Sequence, residues 1–209
     1  MKEYSSAFIQ LALFISVPLM VYLLKRIRRE EGTPLEGFWQ WLGVKKPLSF
    51  KPLLKPMGLT FILSLIIMLI PLWGLMHFNL LDYSQFLMQD FQNQPFSIGL
   101  LVLLLLNAWI KTALSEEILF RGFIGKGLQR KFGFQTAMIS QGILFGLPHG
   151  LPLILSGGSI LAGLVLIISA ALVGMLQFGL NEKYAEGSIA PSFIVHGLMN
   201  TLSFLSVLF

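Results

Sequence analysis

Residues 97–122 read SIGLLVLLLLNAWIKTALSEEILFRG. The run opens on almost unbroken Leu, Ile and Val and closes on two adjacent glutamates and an arginine. About 18 consecutive apolar residues suffice to cross a bilayer as a helix. The stretch therefore predicts a span over 97–118 that carries Glu116 and Glu117 at one end. A charged group at mid-bilayer costs about 2.5 kcal/mol or more. Carboxylates placed there are expected to pair with another group or to do chemistry.

The same apolar character extends outward along the chain. Six main spans are expected, at 6–24, 57–76, 97–118, 134–154, 159–180 and 188–208. Hydrophobic residues make up 55% of the 209 and charged residues 12%, about half the charge of a soluble domain. A soluble helical bundle has no way to hide that many long apolar runs. The expected fold is all-α: a polytopic transmembrane helical bundle in a single membrane-embedded domain over 1–209. Residues 1–95 form its N-terminal spans and basic loop, and 96–209 its motif-bearing core. Span 6–24 lacks a basic leader and a small-residue cleavage site, and Lys25-Arg26-Ile27-Arg28-Arg29 follows it. It reads as a retained anchor.

The net charge of +5 is read as membrane topology, with no nucleic-acid partner implied, because the basic residues cluster beside the spans. Segment 25–55 carries Lys25, Arg26, Arg28, Arg29, Lys45, Lys46, Lys51 and Lys55. Loop 77–96 carries no Lys or Arg, only His77, Asp82 and Asp90, and the next connection carries Arg121, Lys126, Arg130 and Lys131. This alternation puts 25–55, 121–133 and 181–187 in the cytoplasm and both termini outside. The multi-pass chain is expected in the plasma (cell) membrane, with membrane lipid around it. Within 25–56, Phe38, Trp39, Trp41 and Leu42 among basic residues suggest an interfacial helix leading into the second span, although an ordinary cytoplasmic loop fits the pattern as well. With no cysteine in the chain, disulfides, thiolate metal sites and a cysteine nucleophile are excluded. The glycines at 122, 125 and 127 do not form a nucleotide-binding loop.

Three motifs place polar groups in or beside the spans: Glu116-Glu117-x-x-x-Arg121, Phe145-x-x-x-His149 and His196-x-x-x-Asn200. Glu117 and Arg121 stand at i,i+4 and share a helix face, so they can pair. Glu116 is rotated about 100° from Glu117, so one carboxylate can hold the arginine while the other faces a cavity. A helical hairpin turning at Gly133 links two motifs. Glu116 lies 17 residues before that glycine and His149 lies 16 after it. The two are therefore expected level with each other, roughly 24 Å from the turn. Gly142 and Gly146 allow close helix approach, while Pro148 is expected to bend or end the second helix.

Together Glu116, Glu117, His149, His196 and Asn200 suit water activation and oxyanion stabilisation. Ser115 adjoins the first motif but has no base and acid to complete a triad. His149, His196 and a carboxylate leave a His₂Glu zinc set open, although no HExxH spacing supports it. The plainer readings are polar glue between helices for the His and Asn residues, and packing and snorkelling for Asn107 and Lys111. His77 is read as a solvated bystander, and Gly157-Gly158 as a turn.

The run from Ser115 to Gly122, then Phe145-Gly146-Leu147-Pro148-His149, then His196-Gly197-Leu198-Met199-Asn200, resembles the CAAX protease and bacteriocin-processing family. That family, also called Abi, includes the Ras-converting CAAX endopeptidases. Its EExxxR, FxxxH and HxxxN or HxxxD motifs occur here in order, over about 100–209. The resemblance implies an intramembrane endopeptidase. It makes Glu116 the general base, with His149 holding the water and His196 and Asn200 stabilising the oxyanion. Glu117, Arg121 and Phe145 then support the site from behind. No cofactor is expected, since better-studied members look glutamate-dependent, with zinc left open. The implied partner is a peptide or protein substrate, lipidated if it is of the prenylated CAAX type. The alternative is a non-proteolytic immunity or scaffold module of the same family. A transporter stands third, since no half-helix repeat is present.

Overall fold

A computed structural model describes residues 2–28, 35–81 and 95–205. Every regular element among them is helical. Helix α1 spans Lys2–Ile27 and α2 spans Phe38–Trp41. Helix α3, Leu54–His77, is entered through a 3₁₀ turn at Lys51–Leu53. Helix α4 is a continuous run over residues 98–132. The remaining helices are α5 (Phe134–Leu155), α6 (Ile160–Tyr184) and α7 (Ala190–Leu205). The expected all-helical membrane architecture holds: the first five expected spans each fall on a long helix, and of the last, 188–208, residues 190–205 are helical and 206–208 lie outside the described residues.

Four stretches are long and apolar enough to cross a membrane: Ser5–Ile27, Lys51–His77, Ile98–Leu155 and Ile160–Tyr184. The third contains both α4 and α5, which meet at Gly133. The described part of α7 has 16 residues, about 24 Å of rise. Serine hydroxyls open two of the helices. Ser97 Oγ accepts from Leu100 N at 3.1 Å to start α4, and Ser159 Oγ accepts from Ala162 N at 3.2 Å to start α6. The α4–α5 turn needs a left-handed residue, and Gly133 supplies it with φ 82°.

Two features of the hairpin add to the sequence reading. Pro148 does not end α5, which runs on through Pro148 and Pro152 to Leu155. Helix α4 is also not uniformly α-helical. It passes through two π-helical stretches, Asn107–Leu114 and Glu117–Gly125, in which the i→i+5 pattern widens the turn. Such bulges concentrate at functional sites, and here they hold Asn107, Lys111, Glu117 and Arg121. Against α5, helix α6 approaches to backbone contact. A β-carbon on Gly146 would sit 2.3 Å from Ile167 O, so the close approach expected from this glycine is made to α6 and not across the α4–α5 hairpin.

The interfacial helix expected within 25–56 is a single four-residue turn, α2. Trp41 and Leu42 are buried and pack with Tyr22, Ile118 and Ile189. Arg130 Nη2 donates to Trp41 O at 2.6 Å, and Ile189 N donates to Gly43 O at 3.0 Å. The segment after α1 is thus a strap tied to α4 and to the α6–α7 loop. Its two tryptophans divide the work: Trp41 is in the core and Trp39 is exposed. Arg29, Asp82 and Asp90, which entered the topology argument, lie outside the described residues.

Candidate active site

The first and third motifs meet where α4 faces α7. Glu117 and Arg121 are both fully buried, and Arg121 Nη1 lies 3.3 Å from Glu117 Oε1. The i,i+4 pairing expected for them is present. Glu117 makes two further contacts from α7. Its Oε1 stands 3.1 Å from His196 Nδ1, and its Oε2 accepts a hydrogen bond from Ser192 Oγ. Both of its oxygens are committed. Glu116, one residue earlier, is in the opposite condition. Its Oε2 is buried without a hydrogen-bond partner, 3.7 Å from His196 Nε2. His196 is therefore bracketed by the two glutamates, one on each ring nitrogen.

The second motif closes the site from α5. Phe145 is buried at its centre. The Arg121 guanidinium lies 3.9 Å over the Phe145 ring, and the rings of His149 and His196 stand 4.7 Å and 6.0 Å from it. Cation–π contact of this kind fixes both partners. His149 Nδ1 is 2.8 Å from Phe145 O. A carbonyl only accepts, so Nδ1 carries the proton and the neutral ring leaves a lone pair on Nε2.

Asn200 lies on the same face of α7 as His196 but engages a different part of α4. Its Nδ2 donates to Thr112 Oγ1 at 2.7 Å and to Ala108 O at 3.3 Å. Next to it, Trp109 Nε1 donates to Thr201 Oγ1 at 3.0 Å. Other singled-out residues make contacts within their own helices. Ser115 Oγ donates to Ile110 O, and Asn107 Nδ2 donates to Leu103 O. His77 stacks on Trp73. Among the described residues no group of three or more His, Cys, Asp or Glu side chains is arranged to hold a metal ion.

The sequence reading missed a buried polar layer behind the glutamates. Arg121 Nη2 donates to Gln177 Oε1 at 2.5 Å. Asn181 Nδ2 donates to Ser192 Oγ at 2.6 Å, and Ser192 N donates to Asn181 Oδ1 at 3.2 Å. Gln177, Asn181 and Ser192 are all fully buried. A signal was present. Gln177 and Asn181 stand at i,i+4 in the otherwise apolar α6, and Ser192 and His196 repeat that spacing on α7. Paired polar residues on one face of an apolar helix point to a shared partner.

No curated protein and no solved structure matches the chain. A family model does, over residues 97–202, and that stretch holds all three motifs and every side chain of the polar cluster. It begins at the cap of α4 and ends near the close of α7. The apolar helices and this match make the chain an integral membrane protein of a protease family: it belongs to the type II CAAX prenyl endopeptidase Rce1-like family.

Proposed function

We propose that the chain is an intramembrane endopeptidase of the plasma membrane in which Glu116 activates the attacking water. The observation that carries this is the contrast between the two glutamates. Glu117 has both oxygens occupied, whereas Glu116 keeps a buried oxygen with no partner beside a histidine. A buried, unpartnered carboxylate oxygen invites a ligand, and water is the ligand a hydrolase needs there.

In this reading Glu116 takes a proton from water as the oxygen attacks the scissile carbonyl. The lone pair on His149 Nε2 accepts the second hydrogen of that water and holds it. His196 and Asn200 stabilise the oxyanion. The 3.3 Å bond from Asn200 to Ala108 O is the longer of its two, and is the one to be released as charge develops. The carbon–nitrogen bond then breaks, and the amine leaves with the proton first taken by Glu116. The substrate is a membrane-associated or prenylated CAAX-type protein or peptide, as the family description suggests.

The test is cleavage of an internally quenched peptide that carries a farnesylated cysteine, by purified protein in bilayers. Glu116→Gln should abolish cleavage while the folded yield stays at the wild-type level. Normal cleavage by Glu116→Gln would instead place the water elsewhere. Wild-type protein that cuts neither this probe nor its unprenylated form would support a binding module.

A further inference from the structure

The role of His196 depends on which of its nitrogens carries the proton, and the buried layer behind the site bears on that choice. Glu117 is paired with Arg121 inside the protein and is an acceptor only. The atom of His196 that meets it is Nδ1, at 3.1 Å. A neutral imidazole has one N–H. If that N–H is spent on Glu117, Nε2 is left bare and faces Glu116 at 3.7 Å.

Ser192 holds Glu117 in that pose together with Arg121, each on one carboxylate oxygen. Ser192 and His196 stand at i,i+4 on α7, so one helix face offers both to one carboxylate, Ser192 to Oε2 and His196 to Oε1. Ser192 is itself fixed at two points by Asn181, which donates to its hydroxyl and accepts from its backbone N–H. Asn181 fills one of the hydroxyl's two lone pairs, and the hydroxyl has a single proton to give. Ile189 O, at 3.1 Å, competes for it, but a carboxylate is the stronger acceptor.

We propose that Ser192, held by Asn181, is a positioning residue that fixes the proton of His196 on Nδ1 through Glu117 and leaves Nε2 as the working atom of the ring. This rests on the peptidase reading above and deepens it. The proton Glu116 takes from water passes to Nε2, and Glu116 is again a carboxylate. The imidazolium then presents Nε2–H to the oxyanion and gives that proton to the departing amine nitrogen. One water is consumed, and His196 and Glu116 end as they began. A ring with its proton on Nε2 could not accept it there.

The chain has three histidines, His77, His149 and His196, so the ring nitrogens can be read directly. Protein labelled with ¹⁵N-histidine, assigned with His77→Gln and His149→Gln, is measured at a pH where the rings are neutral. His196 is expected to show a protonated Nδ1 and a bare Nε2. Ser192→Ala should give a mixture of the two tautomers, and Ser192→Thr, which keeps the hydroxyl, should restore the wild-type spectrum. On the farnesylated probe, Ser192→Ala should lower kcat by about 10–100-fold, the range for losing a partner that orients a working histidine, with KM within about twofold. Should Ser192→Ala not fold, Asn181→Ala keeps the serine but frees its hydroxyl, and is read in the same way. A wild-type His196 protonated on Nε2, or variant spectra identical to wild type, would overturn the proposal. Because the spectrum does not depend on turnover, a failure of the peptidase reading is seen separately, as a wild type that cuts nothing.

Discussion

Glu117→Gln and Glu116→Gln are the same chemical change on neighbouring residues, yet the two should behave differently. Glu117 and Arg121 are both fully buried and 3.3 Å apart. Removing one partner of a buried ion pair costs about 3–5 kcal/mol, because the other charge is left uncompensated. Gln keeps the size of Glu and one acceptor oxygen for Arg121, so the low end, about 3 kcal/mol, is expected. For a chain of this size each kcal/mol moves the melting temperature by about 2–4 °C, which makes the drop roughly 6–12 °C. Glu116 has no comparable partner, and its Oε2 is already without a hydrogen bond. Its change to Gln should leave the melting temperature at or slightly above the wild-type value while cleavage is lost. The assay is thermal unfolding of purified protein in detergent, followed by intrinsic fluorescence, with cleavage measured on the same samples. Adding Arg121→Met to Glu117→Gln removes both charges and should recover part of the lost stability, a coupling seen in a double-mutant cycle. If Glu116→Gln melts as low as Glu117→Gln, or if Glu117→Gln melts with the wild type, the division of labour between the glutamates is wrong.

Asn200→Ala should reduce kcat on the farnesylated probe by about 10²–10³ with little change in KM, the scale for losing one oxyanion donor; an equal rise in KM would mark it as a ground-state binding group. Chelation of zinc should leave wild-type cleavage intact, whereas a stoichiometric metal lost together with activity in His149→Ala and His196→Ala would place a His-ligated ion at the centre. The absence of cysteine allows single-cysteine topology mapping. In intact cells Asn79→Cys should react with an impermeant reagent added outside and Lys45→Cys should not, and the reverse pattern would invert the positive-inside assignment.

Several of these expectations were legible before any coordinates. The apolar runs are long enough that their helical state follows from the cost of leaving backbone groups unpaired in lipid. The i,i+4 spacing of Glu117 and Arg121 made their pairing a matter of helix period alone. The turn at Gly133 was legible as a glycine between two apolar runs. The tryptophan-rich segment left an interfacial helix and an ordinary loop equally open. That Trp41 and Leu42 pack against Tyr22 and Ile118 is a contact between segments distant in sequence, which the pattern of one segment does not encode.

By itself, then, the sequence determined an all-helical membrane protein, the order and spacing of its three motifs, and which residues can share a face of one helix. Those properties depend on the period of a single segment and on the transfer energy of its side chains. Only the tertiary structure decided that Ser192 and His196 also engage Glu117 while Glu116 Oε2 is buried without a hydrogen-bond partner. It also decided that Ser192, Asn181 and Gln177 lie behind the site, and that Asn200 bonds to Thr112 across the helix pair. Those are contacts between helices, and they depend on how each helix is rotated and how closely it approaches. That geometry comes from packing, such as the glycine contact of α5 with α6 and the π-helical turns of α4, which no periodicity within one segment encodes.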